Sequence, residues 1–383
     1  MGELIYFDNN ATTRPRPEVV EAMLPFLRQE YGNPSSVHMF GQRMRHEVEL
    51  AREKVAGLIG ARPREIVFTS GGTECINLAV RGVLKTQPQK RHVITSAVEH
   101  SAARKVCDLL GDEGYEVDEL GVDQQGRLDV DELEARLRED TALVTVRQAN
   151  NATGVLFHVE RIADMCQCHG VALHVDAVQA AGKVPIDISK MPVHLLSISA
   201  HKFHGPKGVG ALYIRRRTRV QPLILGGSQE RDTRGGTENV PGIVGMGAAA
   251  ELAARQEAGE NDRVRSLRDR LEAGICASVP FAHVNGGEAQ RICNTTNIGF
   301  EGLEAEAILI LLSENGVCAS SGAACSSGSL EPSHVLKAMK IDERIAHGAI
   351  RFSLSLFNTQ EEVDRVVGMM PELLTRLTVL SRG

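Results

Sequence analysis

The sequence predicts an α/β protein with a mostly parallel central sheet, helices on both faces of that sheet, and a second, smaller α+β domain. Short apolar runs alternate with helix-periodic segments from about residue 64 to residue 215, as expected of successive βαβ units. After Ala254 the pattern changes to a charged helical stretch, followed by helices and isolated strands. A chain of 383 residues is also too long for one small core.

The individual elements follow from apolar periodicity. Strands are predicted at Ile66–Thr69, Val93–Ser96, Glu116–Leu120, Ala142–Val146, Ala172–Val175, Leu195–Ser199 and Gly210–Ile214, with later strands near Thr296–Phe300 and Arg351–Leu354. Helices are predicted at Thr73–Leu84, Ala102–Leu110, Val130–Arg138 and Val159–Cys168. We therefore expect a large domain of residues 14–257 and a small domain of residues 1–13 and 258–383.

Composition and charge narrow the class of protein. Apolar residues make up 42% of the chain and charged residues 24%, as in ordinary globular proteins. The formal net charge of −6 argues against nucleic acid or an anionic membrane as a partner, and no apolar run approaches the ~18 residues of a membrane span. Glu3 and Asp8 stand where a secretory signal has a basic flank and an apolar core. We expect a cytoplasmic protein whose eight cysteines are reduced.

The segment Cys166-Gln167-Cys168-His169 contains residue types that bind metals. It falls on a predicted helix, where positions i and i+2 face apart. The sequence therefore predicts structural cysteines here and no metal site.

A lysine follows one of the buried strands in the segment Ser199–Gly208. Ligands of open α/β sheets sit beyond the carboxyl ends of strands, and a partly desolvated lysine there can form a Schiff base with a carbonyl. The alternative is a solvated loop lysine. Ser199 and His201 beside Lys202 favour the first interpretation, since both suit a phosphate group.

Two further strand ends carry polar side chains. Asp176 ends the preceding strand, where a carboxylate can keep a pyridine nitrogen protonated and the ring an electron sink, or can simply cap the following turn. His100 follows another strand, where a catalytic imidazole can stack on a planar cofactor and move protons near neutral pH, or can instead have a structural role. Because both lie at the edge that carries Lys202, we favour the cofactor interpretation.

The segment Ser70-Gly71-Gly72-Thr73 lies between a strand and a helix. Free N–H groups and the helix dipole make such a turn an anion site. Neither G-x-G-x-x-G nor the P-loop pattern is present, so a single phosphate fits better than a dinucleotide.

The tract from Val317 to Ser329 consists mainly of Ser, Gly and Ala and contains Cys325. Such a tract has little capacity to pack and favours a mobile loop. An exposed thiolate on a loop is a strong nucleophile. The alternative is a flexible linker with an incidental thiol.

Together these segments resemble the cysteine desulfurases, specifically the group I branch of NifS and IscS. The resemblance extends over nearly the whole chain, and its most specific parts are the lysine motif and the cysteine tract. The matching segments are Tyr6–Thr13, Tyr31–Ser36, Val175–Gln179, Ser199–Gly208, Gly328–His334 and Ile350–Leu354. The resemblance implies the fold-type-I architecture of the class-V aminotransferase family and a homodimer.

The resemblance also implies a role for each matching residue. Lys202 would hold pyridoxal 5'-phosphate as a Schiff base, with Asp176 on its pyridine nitrogen and Gln179 on its phenolate oxygen. His100 would stack on the ring, and Thr237 would reach the phosphate bound by the partner subunit. The other phosphate ligands would be Gly72, Thr73, Ser199 and His201, and the substrate carboxylate would be held by Asn151 and Arg351.

The implied reaction converts L-cysteine to L-alanine. Lys202 would remove the α-proton, and the thiolate of Cys325, on a mobile loop of about residues 318–330, would take the sulfur as a persulfide. The sulfur would pass to an iron–sulfur scaffold or another acceptor protein. A selenocysteine lyase or another pyridoxal-phosphate-dependent transferase is the alternative. Ala152 and Ser101 depart from the pattern, since similar proteins usually have glutamate and proline there.

Overall fold

The structure is a computed structural model that describes residues 4–255, 258–321 and 332–380. Its strands are β1 (Ile5–Tyr6), β2 (Ile66–Thr69), β3 (His92–Ser96), β4 (Glu116–Leu120), β5 (Thr141–Arg147), β6 (Ala172–Asp176), β7 (Leu195–Ser199), β8 (Gly210–Ile214), β9 (Ala282–Val284), β10 (Thr295–Phe300), β11 (Val317–Cys318) and β12 (Ala349–Ser353). Its α-helices are α1 (Pro17–Arg28), α2 (Met39–Leu58), α3 (Gly72–Leu84), α4 (Ser101–Asp112), α5 (Val130–Arg136), α6 (Val159–Cys168), α7 (Val240–Arg255), α8 (Ala258–Ser278), α9 (Ala305–Glu314), α10 (His334–Ala338), α11 (Glu343–Ala346) and α12 (Gln360–Leu380).

A seven-stranded sheet in the order β2-β8-β7-β6-β5-β3-β4 forms the centre of the protein. Strand β8 runs antiparallel to both of its neighbours, whereas the β7-β6-β5-β3-β4 pairs are parallel. Every residue of β5 and β7 is buried. This burial is expected of strands covered on both faces.

Alternate strand residues enter different apolar cores. Val67 and Leu143 pack in a cluster with residues of α3 and α4, whereas Phe68 and Val144 pack in a larger cluster with residues of α2, α6 and α7. Because successive side chains of a strand point to opposite faces, helices cover both faces of the sheet. The predicted α/β class with a mostly parallel sheet is confirmed.

A separate core surrounds the antiparallel sheet β12-β10-β9 and contains residues of α8, α9 and α12. Ile5 and Phe7 belong to this core, and β1 pairs in parallel with β11. Ile5 and Phe7 thus pack with C-terminal elements, as expected if the N-terminal segment belongs to the small domain. The domain division itself stays a prediction, and its boundary at residue 257 lies outside the described residues.

The predicted elements need small corrections. The helix predicted at Val130–Arg138 ends at Arg136, because Leu137 has extended backbone angles (φ −68°, ψ 132°). Most of the loop predicted at about residues 318–330 lies outside the described residues, which end at residue 321 and resume at residue 332. Cys318 lies in β11, and the N–H of Ser320 donates to the backbone oxygen of Arg351 at 3.2 Å. These backbone hydrogen bonds hold the first residues of the tract against the small core.

Two further features concern the described residues as a whole. Within 4–255, 258–321 and 332–380, no helix is both long enough and apolar enough to cross a membrane. The same ranges contain no group of three or more His, Cys, Asp or Glu arranged to hold a metal ion. On α6, Cys166 is buried and Cys168 is exposed.

Candidate functional site

The candidate site lies at the carboxyl edge of the central sheet, where β6 and β7 end side by side. Asp176 is the last residue of β6, lies opposite Ser197 of β7 and is 7% exposed. Its Oδ1 accepts a hydrogen bond from the N–H of Val178 at 3.0 Å. Lys202 closes the short 3-10 turn that follows β7, and Asp176 is among the charges that act on its pKa. The sheet thus brings together the two strand ends that the sequence singled out.

Lys202 is a largely buried amine. Its Nζ donates to the backbone oxygens of Asn10 and Ala11 at 2.5 and 2.8 Å. Burial lowers the pKa of Lys202 to about 8, and the nearby ammonium of Lys183 acts in the same direction. Such an amine loses its proton close to neutral pH and then serves as a nucleophile or a base.

Two histidines, one beside Lys202 and one on β6 near Asp176, are neutral at neutral pH. Burial and the charge of Lys202 lower the pKa of His201 to about 4, and its Nδ1 lies 3.2 Å from Thr12 Oγ1. His174 is fully buried on β6, two residues before Asp176 and therefore on the same face of the strand. Burial lowers its pKa to about 4 as well, and its ring nitrogens lie 2.8 Å from Thr145 Oγ1 and Ser197 Oγ.

A cradle for an anion lies next to Lys202. The hydroxyl of Ser199 is buried and has no hydrogen-bond partner among the described residues. Gly71 and Gly72 face it at the start of α3, where a Cβ on either glycine would lie 3.9 Å from Ser199 Oγ and 3.7 Å from Ser199 Cβ, respectively. Thr73, in the first turn of α3, is exposed. A buried unpaired hydroxyl beside a helix N-terminus fits a phosphate group.

Hydrogen bonds to both the nitrogen and the oxygen of its side-chain amide fix the orientation of Gln179. Its Nε2 donates to the backbone oxygen of Asn10 at 2.9 Å, and its Oε1 accepts from Lys183 Nζ at 3.4 Å. Lys183 Nζ also donates to the backbone oxygens of Gln179 and Lys202 at 3.0 and 3.2 Å. Burial lowers the pKa of Lys183 to about 8. This second buried lysine therefore supports the turn that carries the first.

His100 is the N-cap of α4, and its Nδ1 accepts from the N–H of Ala102 at 3.1 Å. The preceding residue, Glu99, is fully buried, and burial raises its pKa to about 7, while the guanidinium of Arg147 opposes that rise. His334 Nε2 lies 3.0 Å from the backbone oxygen of Glu99.

Arg351 and Asn151 contact each other on the side of the site that faces the small core. Arg351 Nη1 donates to the backbone oxygen of Asn151 at 3.1 Å, and Nη2 donates to Asp8 Oδ1 at 2.6 Å. Arg351 is 1% exposed, and its Nε has no partner among the described residues. The planar fork of a guanidinium with a free donor is suited to grip a carboxylate.

The other predicted site residues are separate from this group. Thr237 is exposed on a loop that Arg234 anchors to α3, through a 2.9 Å bond from Nε to Glu74 Oε1. Cys325 lies outside the described residues. Ala152 is fully buried, and Ser101 is the first residue of α4.

Several residues of the site were not found by sequence reasoning. Asn10 and Asp8 belong to a segment that was quoted for the resemblance without a role. Lys183 follows Gln179 by four positions, and this spacing could have indicated that the two side chains contact each other. For Glu99 and Arg147, the only indication of a role in the sequence was a charged residue type between otherwise apolar neighbours.

Comparisons with known proteins agree with this geometry. Residues 5–366 match the family model described as aminotransferase class-V. A cysteine desulfurase of Trichormus azollae is 53% identical over 99% of this chain and 94% of its own length. The cysteine desulfurase NifS of Azotobacter vinelandii is 51% identical, with 98% and 94% of the two chains covered.

Solved structures give the same result. A NifS-like protein superposes with a TM-score of 0.92 at 41% identity, covering 98% of this chain and all of its own. A NifS-like protein from Rickettsia africae has a TM-score of 0.88 at 31% identity and covers 97% of this chain. The chain therefore belongs to the class-V aminotransferase family, as a pyridoxal-phosphate-dependent enzyme of the cysteine desulfurase group.

Proposed function

We propose that this enzyme converts L-cysteine to L-alanine and retains the sulfur as a persulfide on Cys325. The observation that carries the proposal is Lys202, a largely buried amine whose pKa is lowered to about 8 at the sheet edge that also carries Asp176 and the unpaired hydroxyl of Ser199. A lysine, a carboxylate and a phosphate cradle are the three groups needed to hold pyridoxal phosphate.

In this proposal, different residues at the carboxyl edge of the sheet hold different parts of the cofactor. Lys202 would join its carbonyl carbon, Asp176 would pair with its ring nitrogen, and Gln179 would pair with its phenolate oxygen. His100 would stack on the ring. The phosphate would be held by Gly72, Thr73, Ser199 and His201, with Thr237 supplied by the second subunit of a homodimer. Support comes from the orphaned Ser199 Oγ, from the neutral His201 and from the fixed orientation of Gln179.

Pyridoxal phosphate, when bound, withdraws electrons from the α-carbon of an amino acid joined to it, which makes the α-proton acidic and the bond to sulfur breakable. Arg351 and Asn151 hold the substrate carboxylate and so fix which bond at the α-carbon faces Lys202. Lys202, neutral in part at neutral pH, takes the α-proton from one side and keeps it within reach of the product.

Cys325 completes the reaction with its thiolate. Its sulfur forms a bond to the sulfur of the substrate while the carbon–sulfur bond of the substrate breaks. The electron pair stays with the carbon, which is protonated and leaves as part of alanine. One thiol and one L-cysteine thus give one persulfide and one L-alanine, without an external oxidant. A carrier protein then takes the sulfur.

We further propose that the acceptor is an iron–sulfur cluster scaffold or another sulfur-carrying protein of the cytoplasm. The buried, unpaired cysteines Cys75, Cys107 and Cys166 support a reducing compartment. Burial raises the pKa of each of these thiols to about 12, so they do not compete with Cys325 as thiolates.

The test compares two cysteine variants. Cys325→Ala should keep the visible absorbance of the bound cofactor and lose sulfide and alanine formation from L-cysteine. The control Cys168→Ala removes an exposed cysteine of α6 and should behave like the parent protein. Mass spectrometry after a single turnover should find one added sulfur on the peptide that contains Cys325. Unchanged sulfide release from Cys325→Ala would contradict the proposal.

A further inference from the structure

Asn151 is held by two buried arginines from different parts of the fold. Arg147, the last residue of β5, donates from Nη1 to Asn151 Oδ1 at 2.7 Å. Arg351 of β12 donates to the backbone oxygen of the same residue. The two guanidinium groups are 2% and 1% exposed. The side chain of Asn151 is therefore fixed at its oxygen, while the residue itself is half-buried.

The contact with Arg147 determines which way the amide of Asn151 points. A guanidinium has five N–H donors and no acceptor, so the atom of Asn151 that faces Arg147 has to be the carbonyl oxygen. The NH2 group is then turned away from Arg147. Among the residues that the structure describes, none accepts a hydrogen bond from Asn151 Nδ2. A free NH2 group can donate to a carboxylate ligand, whereas the opposite orientation would present the carbonyl oxygen, which can only accept, to that ligand.

Arg147 is itself fixed by Glu99. Glu99 Oε1 accepts from the backbone N–H of Arg147 at 3.1 Å and from Ser96 Oγ at 2.5 Å. Glu99 Oε2 lies 3.8 Å from Arg147 Nε, and both side chains are almost fully buried. When Glu99 is ionised, its charge balances that of the guanidinium, which reduces the cost of placing a cation at a buried strand end.

We propose that Arg147 is a positioning residue for the substrate carboxylate: it locks the Asn151 amide with its NH2 group toward that carboxylate, and Glu99 holds Arg147 in place. This inference deepens the proposed function and rests on it. It adds a selectivity device, since a ligand gains from the oriented NH2 group only if it carries a carboxylate on its α-carbon. Amines without that carboxylate gain no binding energy from the oriented NH2 group.

The test measures ligand binding in the holoenzyme with Cys325→Ala, where no sulfur is transferred. Dissociation constants come from the change in cofactor absorbance with L-cysteine and with cysteamine, which lacks the carboxylate. The variant Arg147→Met combined with Glu99→Gln removes both charges of the buried pair. We expect it to weaken L-cysteine binding about tenfold, as for the loss of one oriented hydrogen bond to a charged group, and to leave cysteamine binding within about twofold.

Two further variants distinguish a positioning role of Arg147 from a purely structural role, because a structural role would not change the preference for L-cysteine over cysteamine. Arg147→Lys keeps a donor and a charge and should restore part of the preference for L-cysteine over cysteamine. Asn151→Asp keeps the oxygen that Arg147 binds but presents a second oxygen to the substrate, and it should abolish that preference. Either single substitution keeps the test available if the double variant does not fold.

The outcomes separate the two proposals. If the holoenzyme with Arg147 intact shows no preference for L-cysteine over cysteamine, the proposed carboxylate site is wrong. If the parent prefers L-cysteine but the Arg147 variants bind both ligands as before, or weaken both equally, the proposed role of Arg147 is wrong.

Discussion

The low pKa of Lys202 should determine how fast the chain without cofactor takes up pyridoxal phosphate. Only the neutral amine reacts with the carbonyl of the cofactor. A change from 10.5 to about 8 favours the neutral amine by about 3.4 kcal/mol, at ~1.36 kcal/mol per pKa unit. At pH 7 about one molecule in ten then has a neutral Lys202, compared with about one in three thousand for an ordinary lysine.

The assay follows cofactor uptake by its visible absorbance between pH 6 and pH 10. Rates are divided by those of hydroxylamine, an amine that is already neutral over most of this range, to remove the titration of the cofactor itself. The corrected rate should rise about tenfold from pH 7 to pH 9 and then level off, with a midpoint near 8. A lysine with an ordinary pKa would give a rise of about a hundredfold without levelling, and that result would refute the reasoning.

A substitution tests the cause of the shift. Lys183→Met removes a buried ammonium whose charge lowers the pKa of Lys202, so the midpoint should move to higher pH. The matched control is Lys190→Met, since Lys190 is exposed and pairs with Asp187. A midpoint that stays in place for Lys183→Met would show that burial alone sets the pKa of Lys202.

Other predictions concern stability and are checked by thermal or urea unfolding of the holoenzyme. Arg52→Ala should cost about 3–5 kcal/mol, because it leaves Glu230 buried without its partner at 2.7 Å, whereas the exposed Arg43→Ala should cost less than about 1 kcal/mol. Gly210→Ala should cost about 1–3 kcal/mol and weaken cofactor binding, since a Cβ there would lie 2.7 Å from backbone of the anion cradle. Gly57→Ala, in α2 with nothing within 4 Å of the added Cβ, should instead stabilise the protein by about 0.5–1 kcal/mol. Similar losses for the members of either pair would contradict these assignments.

It could be predicted that Asp176 and Lys202 lie at the same edge of the sheet, because this depends only on the order of two consecutive strands in the chain. Strands β6 and β7 are consecutive in the chain, and consecutive parallel strands of such sheets are usually neighbours. Their polar ends then meet at one edge. Helix α2 was not predicted, and one physical reason is the burial of Arg52 in it. A charged residue on the buried face interrupts the apolar pattern on which helix prediction depends.

The contacts that orient the site could not be predicted in this way. Arg147 at the end of β5 reaches Asn151 in the turn that follows, but its neutralising partner, Glu99, lies 48 residues earlier, between β3 and α4. The direction of the Asn151 amide depends on that pair. Sequence periodicity reports which face a residue occupies and says nothing about which atom of a side chain meets which donor.

The N-terminal segment that contains Asp8 and Asn10 connects the central sheet with the small antiparallel sheet through hydrogen bonds. The backbone oxygen of Asn10 accepts from Lys202 and from Gln179, and its side chain donates to Thr295 Oγ1 at 2.8 Å on the small sheet. Asp8, on the same segment, holds Arg351. In the proposed site, Asp176 and Lys202 follow strands of the large sheet, whereas Arg351 belongs to the small one. Because the same short segment contacts Lys202 and Arg351, a shift of this segment should affect the proposed base and the proposed carboxylate ligand at the same time.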